Sequence, residues 1–338
     1  MKVTSVVRAA AATAAMALGL SLLITPASAD PPSPTEFRQL VGVGSATTQD
    51  LFNGLAEAVV FDPDGVPDDQ LIASYDATGS ATVRTRPTGC VIPRPNGGDA
   101  ALLAWRVNAA NEALCVDFVR ADRGPRSTST SRRTWIPFAR DALTFAVRSD
   151  SPLNAAPGPN LTSTDLRAVY TCAKRTLNGV TLTPLLPPPG SNIRNLLLGQ
   201  LAMGDLDVGA CVDTSFQEND GTALDTAGDI APYSVAQYIA ETTGVVTDRH
   251  GDTVLGRVNG ASPRTPIGTL NASFPFARDL YIVVPTAKLT GGATRDADLA
   301  NTFVGPGSEI CTSMDVIEAY AFAPPAALCG GTSLTGEF

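Results

Sequence analysis

Histidine is nearly missing from this chain. His250 is the only one in 338 residues. A His-Glu-x-x-His metal site is therefore impossible, and any nucleophilic triad would have to be built on the loop Asp248-Arg249-His250-Gly251-Asp252. No Gly-x-Ser-x-Gly elbow accompanies it, so His250 reads as an exposed loop residue and no enzyme is expected. The six cysteines contain no Cys-x-x-Cys pair, which argues against a zinc site or a thioredoxin-like centre. Gly42-Val43-Gly44 begins like a dinucleotide fingerprint, but Thr47 stands where the third glycine belongs. Positive charge is also short: 24 Lys and Arg face 33 Asp and Glu, a net charge of −9. That balance disfavours nucleic acid or an anionic membrane as partner. A small anion stays compatible, because a local cluster of backbone N–H groups outweighs a distant net charge. Beyond the first 29 residues no run is long and apolar enough to span a bilayer. Nothing in these patterns implies a cofactor.

What is present describes a globular chain long enough for two domains, 44% hydrophobic and 17% charged. Residues 1–29 read as a cleaved signal peptide. Lys2 and Arg8 supply the positive start, Ala9–Ile24 the apolar centre and Ala27-Ser28-Ala29 the small-residue cleavage site. The mature chain would begin at Asp30, secreted and more acidic still. No cysteine follows the cleavage site, so no lipid anchor is expected there. Six cysteines in a secreted chain point to disulfides. Sequential pairing (Cys90 with Cys115, Cys172 with Cys211, Cys311 with Cys329) would staple each segment separately. The rival is a bond from Cys90 or Cys115 to Cys311 or Cys329.

The pentapeptide Pro-Phe-Ala-Arg-Asp occurs twice, at Pro137–Asp141 and Pro275–Asp279, each leading into an apolar, β-rich run. The copies are too far apart for a solenoid repeat. They predict two adjacent strands through which the chain leaves one lobe and returns to it. Around them, apolar periodicity predicts a strand over Leu40–Ser45 and a helix on Leu51, Leu55 and Val59, capped by Ser45 or Thr47. Phe61–Asp69 reads as a loop, Ile72–Tyr75, Thr82–Arg84 and Cys115–Val119 as extended, and Ala100–Leu114 as a helix. In the middle, a short helix on Leu166, Val169 and Tyr170 precedes a strand over Val180–Leu186. Gly190-Ser191 then opens a helix, Tyr233–Thr242 forms another, and Val254–Val258 is strand-like. Met314–Phe322 reads as helix and the Gly-rich tail as loose. Alternating strands and helices indicate an α/β protein.

Two turns carry chemistry. Gly44-Ser45 and Gly190-Ser191 each join an apolar strand to a helix. Free N–H groups and the helix dipole place roughly half a positive charge at such a terminus. Ser45, Thr47, Thr48 and Ser191 add hydroxyls, and glycine lets the backbone approach a ligand. Singly, each turn is an ordinary cap; together, one per lobe, they would clamp a small oxyanion.

Residue by residue, the chain resembles the phosphate-binding proteins of ABC importers, of the type 2 periplasmic-binding-protein fold, and a secreted actinobacterial branch of them. The resemblance runs from about Gly42 to Ala323. It rests on Val41-Gly42-Val43-Gly44-Ser45, Thr48-Gln49-Asp50, Asp117-Phe118 with Asp122, and Ile136–Asp141. Leu161-Thr162 with Asp165-Leu166, Leu185-Leu186-Pro187 before Gly190-Ser191, and Arg278–Tyr281 complete it. It implies two lobes joined by two crossing strands, with a ligand cleft between them: 30–139 and 275–338 as the first lobe with its tail, 140–274 as the second. It also implies capture of phosphate for an ABC permease, by a monomer without cofactor; a secreted sensing or interaction protein of the same fold is the alternative. The site it implies comprises Gly44, Ser45, Thr47, Thr48, Asn96, Gly97, Asp122, Gly190, Ser191 and Arg194. Asp122 would accept a hydrogen bond from a protonated phosphate and repel an anion with no proton to give. This chain departs from the resembled pattern at Ala46, Asn192 and Ile193, which lack hydroxyl or glycine, and at Pro187, where the family carries its arginine. Arg194, Arg120 or Arg140 could replace that arginine; Arg140 and Arg278, on the crossing strands, would lie near the cleft mouth, the alternative being that they pair with Asp141 and Asp279 and only stiffen the hinge.

Overall fold

A computed structural model describes Asp30 and residues 37–61, 69–110 and 115–337. The signal-peptide expectation, the centre of the Phe61–Asp69 loop and the end of the Ala100–Leu114 helix lie outside those residues. One mixed sheet organises the chain. Its strands are β1 (Leu40–Gly44), β2 (Ile72–Ser74), β3 (Phe118–Ala121), β4 (Arg133–Arg148), β5 (Thr183–Pro184), β6 (Asp229–Ser234), β7 (Thr253–Leu255) and β8 (Ala277–Pro285). Their spatial order is β5-β6-β4-β8-β3-β1-β2, with β7 also on β4. The helices that concern the site are α1 (Gln49–Ala58), α2 (Gly98–Ala110), α3 (Asn192–Gln200) and α4 (Val235–Thr242).

β1 runs parallel to both β2 and β3 and is buried throughout. Its unbroken apolar sequence is that of a strand covered on both faces. The sixteen-residue β4 belongs to both lobes. Arg133–Ala142 pairs with β8, whereas Leu143–Arg148 pairs with β6 and β7. The two pentapeptides are thus antiparallel neighbours, with Arg140 opposite Asp279 and Asp141 opposite Arg278. A register shift between Leu280 and Tyr281 bends the return strand just beyond them.

The first lobe is held by an aromatic cluster. Phe52 of α1 lies 5.6 Å from Phe118 and 5.3 Å from Phe138, and Phe118 lies 4.9 Å from Phe303. The fully buried Trp135 donates its indole N–H to the Gly336 carbonyl, 3.2 Å away. The C-terminal tail is therefore not loose. Trp135 N–H bonds to Leu334 O, and Glu337 meets Thr130 and Arg133. The cysteines pair sequentially, 90–115, 172–211 and 311–329, so each bond stays on one side of the crossing.

Three segments differ from expectation. Thr48, not Ser45 or Thr47, caps α1, and it does so without a side-chain bond; Ser45 Oγ instead accepts from Thr47 N–H. Tyr233 and Ser234 end strand β6, and α4 begins only after them; Pro232 had hidden a strand there, since proline cannot donate to a ladder. Val180–Leu186 breaks into short pieces, Val180–Thr181 and Thr183–Pro184. Among the described residues no helix is long and apolar enough to cross a membrane.

Candidate functional site

Three helix starts meet where the lobes face each other. α1 follows β1 through Gly44, whose φ of +144° and 2.3 Å approach to the Arg120 carbonyl (measured from a hypothetical Cβ) leave room only for glycine. Gly97, before α2, has φ +110°, and a Cβ there would come 2.8 Å from the Gly190 carbonyl. Ser191 caps α3 by accepting from Arg194 N–H at 3.0 Å. The turns from opposite lobes therefore touch. Asn192 reinforces the contact by accepting from Asp99 N–H at 3.1 Å, and Asn195 donates to the Asp99 carboxylate at 2.7 Å. Farther along the rim, Asn96 donates to Gln217, Asn219 to Thr47 Oγ1, and Gln237 to Asp50.

Of the residues singled out in the sequence, Ser45 lies beside Asp122, Thr47 accepts from Asn219, Gly97 meets Gly190 and Ser191, and Thr48 starts α1. Asp122 directly follows β3 with 0% of its surface exposed, and the Ser45 hydroxyl beside it does not reach good hydrogen-bond geometry at either carboxylate oxygen. Burial pushes its carboxyl above the ordinary range, against the pull of Arg278 and the nearby Ser45 hydroxyl. Thr48 Oγ1 is likewise buried without a partner. Buried polar groups of this kind are rare in native folds and mark a ligand, water or catalytic role.

The arginines sort differently from expectation. Arg194 is spent on Asp205, at 2.8 Å, and on the Pro187 carbonyl, at 3.0 Å. Arg120 serves Ser74 and the Tyr75 carbonyl. Arg140 serves Asp279 and the Ala272 carbonyl. Arg278 is different. Its Nη2 stands 3.0 Å from Asp141 Oδ2, while its buried Nε and Nη1 have no acceptor. Asp141 holds it in place and also receives Ser234 Oγ–H and Ala236 N–H, at the start of α4. Of the two pentapeptide arginines, Arg140 is taken up by Asp279 and the Ala272 carbonyl, and Arg278 is buried in the field of Asp122.

Sequence reasoning missed Glu218, which lies in a loop without a motif. It is 6% exposed; the Ser191 hydroxyl and Ile193 N–H face its carboxylate without reaching good hydrogen-bond geometry at either oxygen, and Asp122 and Arg278 act on it through their charge. His250 lies apart, not fully exposed as expected but half-buried, bonded to Asp248 and edge-on to Tyr238.

A family model described as the PBP superfamily domain matches residues 29–305. The chain belongs to that family. Solved structures similar to this PBP superfamily member include an ABC-type phosphate transport receptor from Vibrio cholerae. It is 13% identical with TM-score 0.56, over 85% of this chain and 100% of that one. A putative phosphate ABC transporter substrate-binding protein with bound phosphate, from Clostridium perfringens, is 15% identical with TM-score 0.55, over 85% and 99%. The phosphate-binding protein of Stenotrophomonas maltophilia is 14% identical with TM-score 0.50, over 85% and 91%. At such identities the likeness is one of fold, the two-lobe architecture of periplasmic binding proteins. No curated protein matches the sequence.

Proposed function

We propose that this PBP superfamily member captures a small tetrahedral oxyanion between its lobes, phosphate in first place, and makes or breaks no bond in doing so. One observation carries the reading. Arg278 and Asp122, a cation and an acceptor both buried and short of partners, sit side by side where the starts of α1, α2 and α3 meet. Arg278 would take two oxygens of the anion in its planar fork. Thr48, Ser45 and Ser191 would supply hydroxyls, and the helix starts a favourable field. Asp122 would accept the ligand's own proton, which phosphate has at neutral pH and sulfate lacks. The phosphate receptors that share the fold favour the same ligand. The permease and the compartment outside the cytoplasm follow from that analogy. A sensor or scavenger of the same fold would bind alike without a permease.

Thermal unfolding with phosphate, arsenate, sulfate, sugars and amino acids tests this. Phosphate and arsenate should raise the midpoint in proportion to the logarithm of their concentration, and sulfate should not. Silence toward every anion would overturn the reading. Asp122→Asn should erode phosphate-over-sulfate preference by about tenfold or more, each tenfold being about 1.4 kcal/mol. Unchanged preference would remove Asp122 from the site.

A further inference from the structure

Glu218 is left unexplained by that reading. Its carboxylate is buried at the meeting of three elements: Asp122 just after β3, Arg278 of β8, and the first turn of α3 with Ser191 Oγ and Ile193 N–H. Asp220 and Arg249 share with it a small cavity of about 20 Å³, lined also by Ala46, Gln49 and Gln217. Around the Arg278 guanidinium stand three carboxyl groups: Asp141 in direct contact, with Asp122 and Glu218 in its field. The nearby Arg120 donates to Ser74 and the Tyr75 carbonyl and keeps a buried Nε without a partner. One unneutralised buried carboxylate already costs several kcal/mol; a second beside it must find either a proton or a donor.

We propose that Glu218 is a second proton-accepting carboxyl of the oxyanion site, so that with Asp122 it selects the doubly protonated monoanion and makes binding take up a proton. The proposal rests on the oxyanion reading above. A dihydrogen monoanion offers two O–H groups, one each for Asp122 and Glu218, and two bare oxygens for Arg278 and the helix starts. A monohydrogen dianion has one O–H and would set a bare oxygen against the second carboxylate. It can enter only if a proton comes with it, on the ligand or on Glu218. Burial, reinforced by Asp122, pushes the Glu218 carboxyl up to about 7, the direction that favours holding this proton near neutrality. An anion without protons meets two repulsions instead of one, so the pair sharpens selection beyond Asp122 alone.

Calorimetric titration of phosphate into the whole secreted chain, in two buffers of different ionisation heat near pH 8, counts the proton without any mutation. Uptake of about one proton is expected, with affinity falling about tenfold per pH unit above neutrality. The near-isosteric Glu218→Gln donates an N–H where the wild type needs a proton. It should bind phosphate with little uptake and a flat pH profile. Phosphate binding by the wild type without proton uptake, or an unchanged profile in Glu218→Gln, overturns the role of Glu218 and leaves the oxyanion reading standing. Binding by Glu218→Gln alone would also overturn it, making the wild-type carboxylate a plug. No phosphate binding by either protein between about pH 5 and 8 overturns both readings.

Discussion

At the scale of single residues, two arginines close in the sequence argument have opposite fates. Arg194 follows a ligand-like turn, but Asp205 and Pro187 occupy its guanidinium. Arg278 sits in the second copy of the pentapeptide, and its buried Nε and Nη1 have no acceptor while it lies in the field of Asp122. Arg194→Ala should lower stability by about 1–2 kcal/mol, the worth of a charge-assisted pair, and leave anion preference unchanged. Arg278→Lys keeps the charge near Asp141 but loses the planar fork, and should weaken phosphate by about tenfold or more. Titration calorimetry beside thermal unfolding separates the two; equal effects on binding would refute the assignment. Asp122 was legible because it directly follows a patterned strand after Asp117-Phe118. Glu218 was not, since Phe216-Gln217-Glu218-Asn219-Asp220 has neither periodicity nor a cap signature, and only tertiary packing brings it to Asp122.

At the scale of elements, the helix starts were readable and the strand beyond them was not. Gly-Ser between an apolar run and a periodic one marks a strand-to-helix turn at both Gly44 and Gly190. β6 was hidden by Pro232, and its last residues were absorbed into the helical period of α4. The duplicated pentapeptide announced adjacent strands, and the pairing of Arg140 and Arg278 with Asp279 and Asp141 that it offered as one alternative is the one the antiparallel register makes. Gly97 offers a test of the lobe contact. Alanine there would need an unfavourable positive φ and would press a Cβ on Gly190. Gly97→Ala should cost about 1–3 kcal/mol of strain and reduce the stabilisation gained from phosphate. A wild-type response in thermal unfolding would mean that the turns do not need to meet.

At the scale of the whole molecule, burial raises several carboxyls above their ordinary range. Glu241 is pushed up to about 7 by burial, despite donors in Tyr233 and Gln237, and Asp76 to about 6. A carboxyl with a higher pKa folded than unfolded binds its proton more tightly in the fold. Its stabilising share is therefore full below the unfolded value, 4.5 for glutamate, and drains as pH rises to about 7. Glu241→Gln removes that loss while keeping an acceptor for Tyr233. It should be more stable than the wild type above pH 7, by on the order of 2–3 kcal/mol, and the gap should close near pH 4. Parallel denaturant curves across that range check the sign; a constant gap would deny that Glu241 titrates with folding.

Arg278 lies on β8 where it pairs with β4, so closure of the proposed lobes about that pair would give the cleft the mechanics of a lever. Groups near such a pivot would move little, and the contact of Gly97 with Gly190 would be one that closure makes and opening breaks. An anion would thus meet an already assembled Arg278–Asp122 pair before the rims come together. Arrival and retention would be governed by different residues: capture speed by the pivot cation, residence time by the turns that shut over it. In rapid-mixing traces, Arg278→Lys should slow association and Gly97→Ala should hasten release; the reverse pattern would place the moving parts elsewhere.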